Sequence, residues 1–284
     1  MAAHPTEGTP MNGESFADQL RILAALEEGP ATDRVLDAFR TVPRETFAGP
    51  GPWKYRSPHE GFTLPVRATP DADPKWLYHA VLIVLDEAKG INIGDPGFWA
   101  RHFTRADIQP GTRILQVGAG VGYYTAILCH LAGPKGAVVA YEVEPDLAAR
   151  AKANLEGRQN VEIRPGNAAT DLAGDEQFDL IVAFAGVTHV PDLWSAHMAP
   201  GARLLVPLTG ANWWGAMIIA QRCEGGFEAT TLGPSGVYPC TGARDDRLAA
   251  RITELFSDAS RLAGWRLRLL GDEGQVRIEA GDAA

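Results

Sequence analysis

Between residues 113 and 208, five short apolar runs alternate with helix-length stretches, and this alternation constrains the fold more than any other feature of the chain. The runs are Arg113–Val117, Ala137–Tyr141, Val161–Arg164, Asp179–Phe184 and Arg203–Leu208. Strands joined by helical crossovers pair in parallel, and the crossing helices cover both faces of the sheet. Beyond them, Trp213–Gln221 and Phe227–Leu232 flank Glu224-Gly225-Gly226 and read as an antiparallel hairpin. The expectation is an α/β chain: a Rossmann-like three-layer αβα sandwich with a mostly parallel sheet and an antiparallel C-terminal hairpin.

Around that core the pattern is less regular. Residues 1–13 read as a flexible tail, and 14–106 as a helical and loop region with an insertion. Residues 107–243 form the sheet domain, and 244–284 a C-terminal extension. Ser15 is a candidate N-cap for a helix carrying Leu20, Leu23 and Leu26, which Gly29-Pro30 ends. A second helix follows Thr32 and stops before Pro43. Gly49–Pro74 reads as irregular, Trp76–Leu85 as strand-like, Gly90–Pro96 as a turn-rich connection and Phe98–Ala106 as a helix. In the extension, Arg247–Phe256 reads as a helix, with two short strands at Trp265–Leu270 and Gln275–Ile278.

The net charge is −9, so the average surface repels phosphate backbones and a nucleic-acid partner is not expected. Cys129, Cys223 and Cys240 are far apart, with neither disulfide nor metal-ligand spacing, which fits a reducing cytoplasm. No run reaches the roughly 18 apolar residues of a membrane span.

The chemistry concentrates where the first strand ends. Gln116-Val117-Gly118-Ala119-Gly120-Val121-Gly122 follows a strand and opens a helix at Tyr123. Glycines there permit a tight turn and let a ligand approach the backbone. The third glycine falls one step early for a dinucleotide fingerprint, and the P-loop lysine is absent. Glu142 ends the next strand, twenty residues after Gly122, where a carboxylate accepts hydrogen bonds from a ribose diol. Val143 follows it. Asn167 and Ala168 lie just after the third strand, and the fourth leads into Phe184, at the same edge.

Seven features in fixed order resemble the protein-L-isoaspartate O-methyltransferase family. They are Asp33-x-Val35-Leu36-x-Ala38-Phe39, Val42-Pro43-Arg44-Glu45-x-Phe47, Ile93-Gly94-Asp95-Pro96, the Gly-rich turn, Glu142, Phe178-Asp179, and Leu193 through Ala199-Pro200-Gly201-Ala202-Arg203-Leu204-Leu205-Val206-Pro207-Leu208. The resemblance covers about residues 17–243 and implies a seven-stranded sheet with altered strand order. It also implies S-adenosyl-L-methionine as cofactor, held by Gln116, Gly118, Ala119, Gly120, Gly122, Glu142, Val143, Asn167, Ala168 and Phe184, and esterification of a carboxylate.

The sequence also departs from the family. Its Thr-Ile-Ser-x-Pro loop reads Asn92-Ile93-Gly94-Asp95-Pro96, so the serine hydroxyl is gone. Gln116 and Asn167 replace acids, the insertion Pro74–Ile91 precedes the loop, and about forty residues follow Gly242. The expected acceptor is a carboxylate of a peptide, a protein or a small molecule, oriented by Asn92 and the Gly94 backbone. For a hydroxyl acceptor His189 is the candidate base. The alternatives are a small-molecule O- or N-methyltransferase and a non-catalytic cofactor-binding protein. The C-terminal residues either cover the acceptor or build a homodimer interface, and Asp95 caps the helix at Phe98.

Overall fold

The computed structural model describes residues 13–26, 31–58, 65–272 and 275–283. Most of the expected tail and the Gly29-Pro30 stop lie outside them. The chain divides into two compact units, Met1–Thr104 and Arg105–Ala284.

In the first unit, α1 (Gly13–Leu26) and α2 (Asp33–Thr41) pack their apolar stripes together, burying Phe16, Leu20, Leu36 and Phe39. Ser15 lies inside α1 rather than capping it. After the short α3 (Glu45–Ala48) comes a small antiparallel sheet, ordered β2-β1-β3-β4. Its strands are β1 (Lys54–Arg56), β2 (Arg67–Ala68), β3 (Leu82–Asp86) and β4 (Ile91–Ile93). Two corrections follow. The stretch from Trp76 opens as a 3-10 turn, Pro74–Leu77, capped by Asp73, so the strand starts later. Gly90–Pro96 is not all turn, because Ile93 pairs with Ile83 and is buried.

Arg44 organises this region. Its side chain is fully buried. One terminal nitrogen donates to the Leu77 and His79 carbonyls at 2.7 and 2.9 Å. The other donates to Val81 at 2.7 Å, with a longer contact to Gly94 at 3.5 Å. A guanidinium has five donors and suits a loop whose carbonyls lack a strand partner. Glu45 accepts from the Tyr78 hydroxyl. The Val-Pro-Arg-Glu-x-Phe segment thus ties down residues 77–81 and the loop at Gly94. Asp95 accepts from the amides of Gly97 and Phe98, capping α4 (Pro96–Ala106), which begins two residues before Phe98.

The second unit is one nine-stranded sheet, ordered β13-β12-β11-β10-β9-β8-β5-β6-β7. Strands β5 (Arg113–Val117), β6 (Ala137–Glu142), β7 (Val161–Pro165), β8 (Phe178–Ala183) and β9 (Met198–Thr209) are parallel. Their crossovers carry α5 (Tyr123–Ala132), α6 (Pro145–Asn154) and α7 (Asp192–Ala196). β10 (Trp214–Cys223) and β11 (Gly226–Gly236) form the expected hairpin, closed by Glu224-Gly225.

The sheet is wider than seven strands. After α8 (Asp246–Leu255), β12 (Ala263–Asp272) and β13 (Gln275–Ala283) add to the free edge of β11. An unpaired edge exposes a row of amides and carbonyls, and the C-terminal residues satisfy those of β11 by antiparallel pairing. The core runs through Leu115, Ile181, Leu204, Ile218 and Trp194, and nine of the ten residues of α5 are buried. Among the described residues no helix is long and apolar enough to cross a membrane.

Two outcomes test this description. Replacing Arg44 by Met removes the guanidinium donors to the Leu77, His79 and Val81 carbonyls, of which His79 keeps the Val81 amide, so unfolding in urea should show a loss of about 2 kcal/mol. Burial pushes the Cys129 and Cys240 thiols up to about 12, whereas Cys223 is partly exposed. A thiol reagent at pH 8 should therefore modify Cys223 alone in the native protein, and all three cysteines in guanidinium.

Candidate functional site

The site lies at the carboxyl edge of the parallel strands, where β5 turns into α5. The backbone is left-handed at three glycines, with φ of 87° at Gly118, 55° at Gly120 and 91° at Gly122. Only glycine adopts such values without strain. Crowding adds a second reason at one of them: a Cβ on Gly122 would meet Leu155 Cδ1 at 2.9 Å. Over Gly120 nothing lies within 4 Å of that position, so its surface is open to a ligand.

Neighbouring strands hold the turn. The Tyr141 carbonyl accepts from the amides of Gly118 and Ala119, both at 2.9 Å. Asn154 of α6 donates to the Val121 carbonyl at 2.9 Å. Glu142 then closes it: one carboxylate oxygen accepts from the Gly120 amide at 2.6 Å, the other from the Glu144 amide at 3.0 Å. The side chain is buried, and that burial pushes its carboxyl above the ordinary value of 4.5, while the backbone amides of Glu144, Gly120 and Val143 pull it back. A carboxylate offers about four acceptor positions, so two amides leave room for hydroxyl donors.

The remaining expected residues distribute around this edge. Gln116 is fully buried at the end of β5; its amide nitrogen donates to the Gly118 carbonyl at 3.2 Å. Its amide oxygen has no hydrogen-bond partner among the described residues. Val143, beside Glu142, is a large apolar side chain left 46% exposed. Phe184 donates its amide to the Val117 carbonyl at 2.8 Å, and its ring lies 5.2 Å from that of Tyr124. Asn167 forms a local turn in which its side-chain oxygen accepts from the Ala169 amide at 2.9 Å. Ala168 is buried, and its carbonyl accepts from Trp194 Nε1 at 3.0 Å.

His189 follows β8 on a loop stitched to two neighbours: Val187 bridges Leu208, and Gly186 bridges Pro239. Its Nδ1 lies 3.1 Å from the Thr188 hydroxyl, and burial lowers its pKa below the ordinary 6.5, so the imidazole is neutral at pH 7. Asn92 and Gly94 belong to the first unit, where Asn92 Nδ2 donates to the Gly90 carbonyl at 3.2 Å. Two contributors escaped the sequence reading. Arg44 was quoted only as part of a motif, and Arg244, which ties four oxygens near Gly186 and Thr209, carried no signal at all.

The sheet order around β5, the left-handed glycine turn and the buried carboxylate one strand away define a Rossmann-like domain of the methyltransferase class. Known proteins carry the assignment further. The family profile for protein-L-isoaspartate(D-aspartate) O-methyltransferase matches residues 19–235. The protein-L-isoaspartate O-methyltransferase of Koribacter versatilis is 30% identical over 218 residues, covering 76% of this chain and 86% of the relative. That of Aeropyrum pernix is 31% identical over 217 residues, covering 72% and 74%. A solved structure of a protein-L-isoaspartate O-methyltransferase shares the fold, with a TM-score of 0.63 at 19% identity over 94% of this chain and 88% of that one. The chain belongs to the protein-L-isoaspartate O-methyltransferase family, and it is a methyltransferase.

If the left-handed turn is what shapes the site, Gly122→Ala should damage it from within. The Cβ contact with Leu155 and the unfavourable φ together should cost about 2 kcal/mol. S-adenosylhomocysteine titrated by calorimetry should then bind at least several-fold more weakly; unchanged affinity would refute the role given to the turn.

Proposed function

We propose that this chain is an S-adenosyl-L-methionine-dependent O-methyltransferase that esterifies a carboxylate of a peptide or protein. The carrying observation is the left-handed glycine turn closed by the buried Glu142 carboxylate. The residues fit the cofactor: open space over Gly120, an unpartnered buried Gln116 oxygen and an exposed Val143 all suit a ligand lying on this edge. Glu142 takes the ribose hydroxyls, Val143 and Phe184 face the nucleoside, and Asn167 Nδ2 with the Ala168 backbone takes the adenine edge. Gln116, Gly118, Ala119, Gly120 and Gly122 take the amino-acid end.

When bound, the sulfonium supplies an electrophilic methyl group and a neutral leaving group. A carboxylate nucleophile is already ionised at neutral pH, so the protein needs no strong base. Its tasks are to align the acceptor and to strip water from it. Asn92 and the Gly94 backbone orient the acceptor carboxylate. Their position corresponds to a family loop that usually carries a serine hydroxyl, and Gly94 has no side chain to supply one. A second reading, transfer to a hydroxyl, draws on the neutral imidazole of His189.

The test is methyl transfer from labelled cofactor to synthetic peptides carrying an L-isoaspartyl or a C-terminal carboxylate. A base-labile product supports the ester, and a base-stable one favours the hydroxyl or amine reading. Glu142 gives a second test, with a definite sign. Because its native pKa is raised, the group favours the folded state below 4.5, and that contribution is lost as pH rises towards the native pKa. Cofactor binding needs the ionised form and runs the other way. Affinity should be flat at neutral pH and fall on acidification, with a midpoint above 4.5. Glu142→Gln should lower affinity about 10- to 100-fold and abolish that acid limb.

A further inference from the structure

Trp213 and Trp214 are large apolar side chains left 43% and 45% exposed. Trp213 sits in the turn between β9 and β10 and Trp214 opens β10; the Trp213 amide donates to the Gly210 carbonyl at 3.1 Å and the Gly210 amide to the Trp214 carbonyl at 2.9 Å. Trp213 holds a left-handed backbone, φ 64°, that residues other than glycine rarely adopt. Strain of this kind in a folded chain concentrates at functional positions. The Trp213 ring meets that of Tyr238 edge-on, with centroids 5.9 Å apart.

The turn is joined to the site already described. β9 runs parallel to β8, and β8 to β5, so all three end at the same edge. The Val237 amide donates to the Trp213 carbonyl at 3.2 Å, and the Gly186 amide to the Tyr238 carbonyl at 2.6 Å. Gly186 lies two residues beyond Phe184, whose Cβ is 3.4 Å from where a Cβ on Gly118 would be. Arg244 fixes this junction, donating to the carbonyls of Gly186 at 3.3 Å, Thr209 at 2.9 Å and Gly210 at 2.8 Å, and to the Thr209 hydroxyl at 2.8 Å. A continuous, cross-braced strip of chain therefore leads from the glycine turn to the two tryptophans.

We propose that Trp213, Trp214 and Tyr238 form an aromatic platform that receives an aromatic side chain of a peptide acceptor, near the carboxylate to be esterified. This rests on the proposed function and adds a specificity to it. Tryptophans bury about 150–250 Å² each, and with under half of each ring exposed the pair offers about 200 Å². A standard protein interface needs about 800 Å² per partner, so the patch suits one side chain rather than a second copy. Ring-on-ring contact in offset or edge-on geometry supplies the recognition.

Two synthetic peptides test the platform, each with a single L-isoaspartyl residue, flanked by phenylalanine in one and alanine in the other. With S-adenosylhomocysteine present, the phenylalanine peptide should bind about fivefold tighter and shift the tryptophan emission. Trp213→Gly, which suits the backbone at that position, and Trp214→Ala should each bring the ratio of the two affinities, and of the two kcat/KM values, towards one. Both variants should bind S-adenosylhomocysteine as the wild type does, which separates the platform from the cofactor site. Equal or undetectable binding of both peptides by the wild type overturns the platform, as does a preference that survives both substitutions. Self-association in sedimentation that Trp214→Ala abolishes would assign the patch to a second copy and likewise overturn it. Failure of the wild type to bind S-adenosylhomocysteine would instead overturn the proposed function beneath it.

Discussion

The second unit depends on one local constraint: β5 must reverse into α5 within five residues while leaving its backbone accessible. Three left-handed glycines make that reversal, and the two adjacent strand ends hold it, through the Tyr141 carbonyl and the Glu142 carboxylate. Glu142 thus has two jobs. It supplies an acceptor for the Gly120 amide, and it stands at the edge where a nucleoside hydroxyl would compete for or share the same oxygens. The carboxylate proposed to recognise the ligand is the one that shapes the turn, so disorder in one would be felt in the other. That economy follows from geometry, because the end of β6 is the nearest neighbour of the turn in a parallel sheet.

Irregular chain elsewhere is held by arginine. Arg44 in the first unit and Arg244 in the second each direct donors to several backbone oxygens, and every acceptor among these bonds is neutral. The reason is common to both. Chain that departs from helix and strand leaves carbonyls without partners, and buried carbonyls without donors are costly. A guanidinium answers several at once with one rigid, planar group. Burial at Arg244 lowers its pKa from the ordinary guanidinium value.

Much of the second unit was legible in the sequence because its signals are local and periodic. Apolar runs between helix-length stretches specify parallel strands, glycines after a strand specify the turn, and an acid at the next strand end specifies the companion carboxylate. What was not legible depended on partners distant in sequence. β2 and β4 are two and three residues long, too short for alternation to register, and exist because β1 and β3 offer edges to pair with. β12 and β13 were readable as strands, but their place beside β11 was not. Asn167 taken alone reads more often as a turn residue than as a ligand contact, and the structure adds that its side-chain oxygen already serves the turn. Arginine bonds to carbonyls leave no sequence pattern at all, since any carbonyl will serve.

The division between readable and unreadable residues has a chemical counterpart. Methyl transfer to a carboxylate asks for alignment and dehydration rather than proton transfer, so the acceptor side carries no obligatory acid, base or metal ligand that a sequence would have to keep. The cofactor side is different, because an adenosyl group presents the same hydroxyls and the same apolar ring whatever the acceptor. A chain with this chemistry can therefore keep its glycine turn and Glu142 under tight geometric demand while its acceptor side is free to vary. The demand is thus unequal on the two sides: fixed groups for the cofactor, shape and dryness for the acceptor.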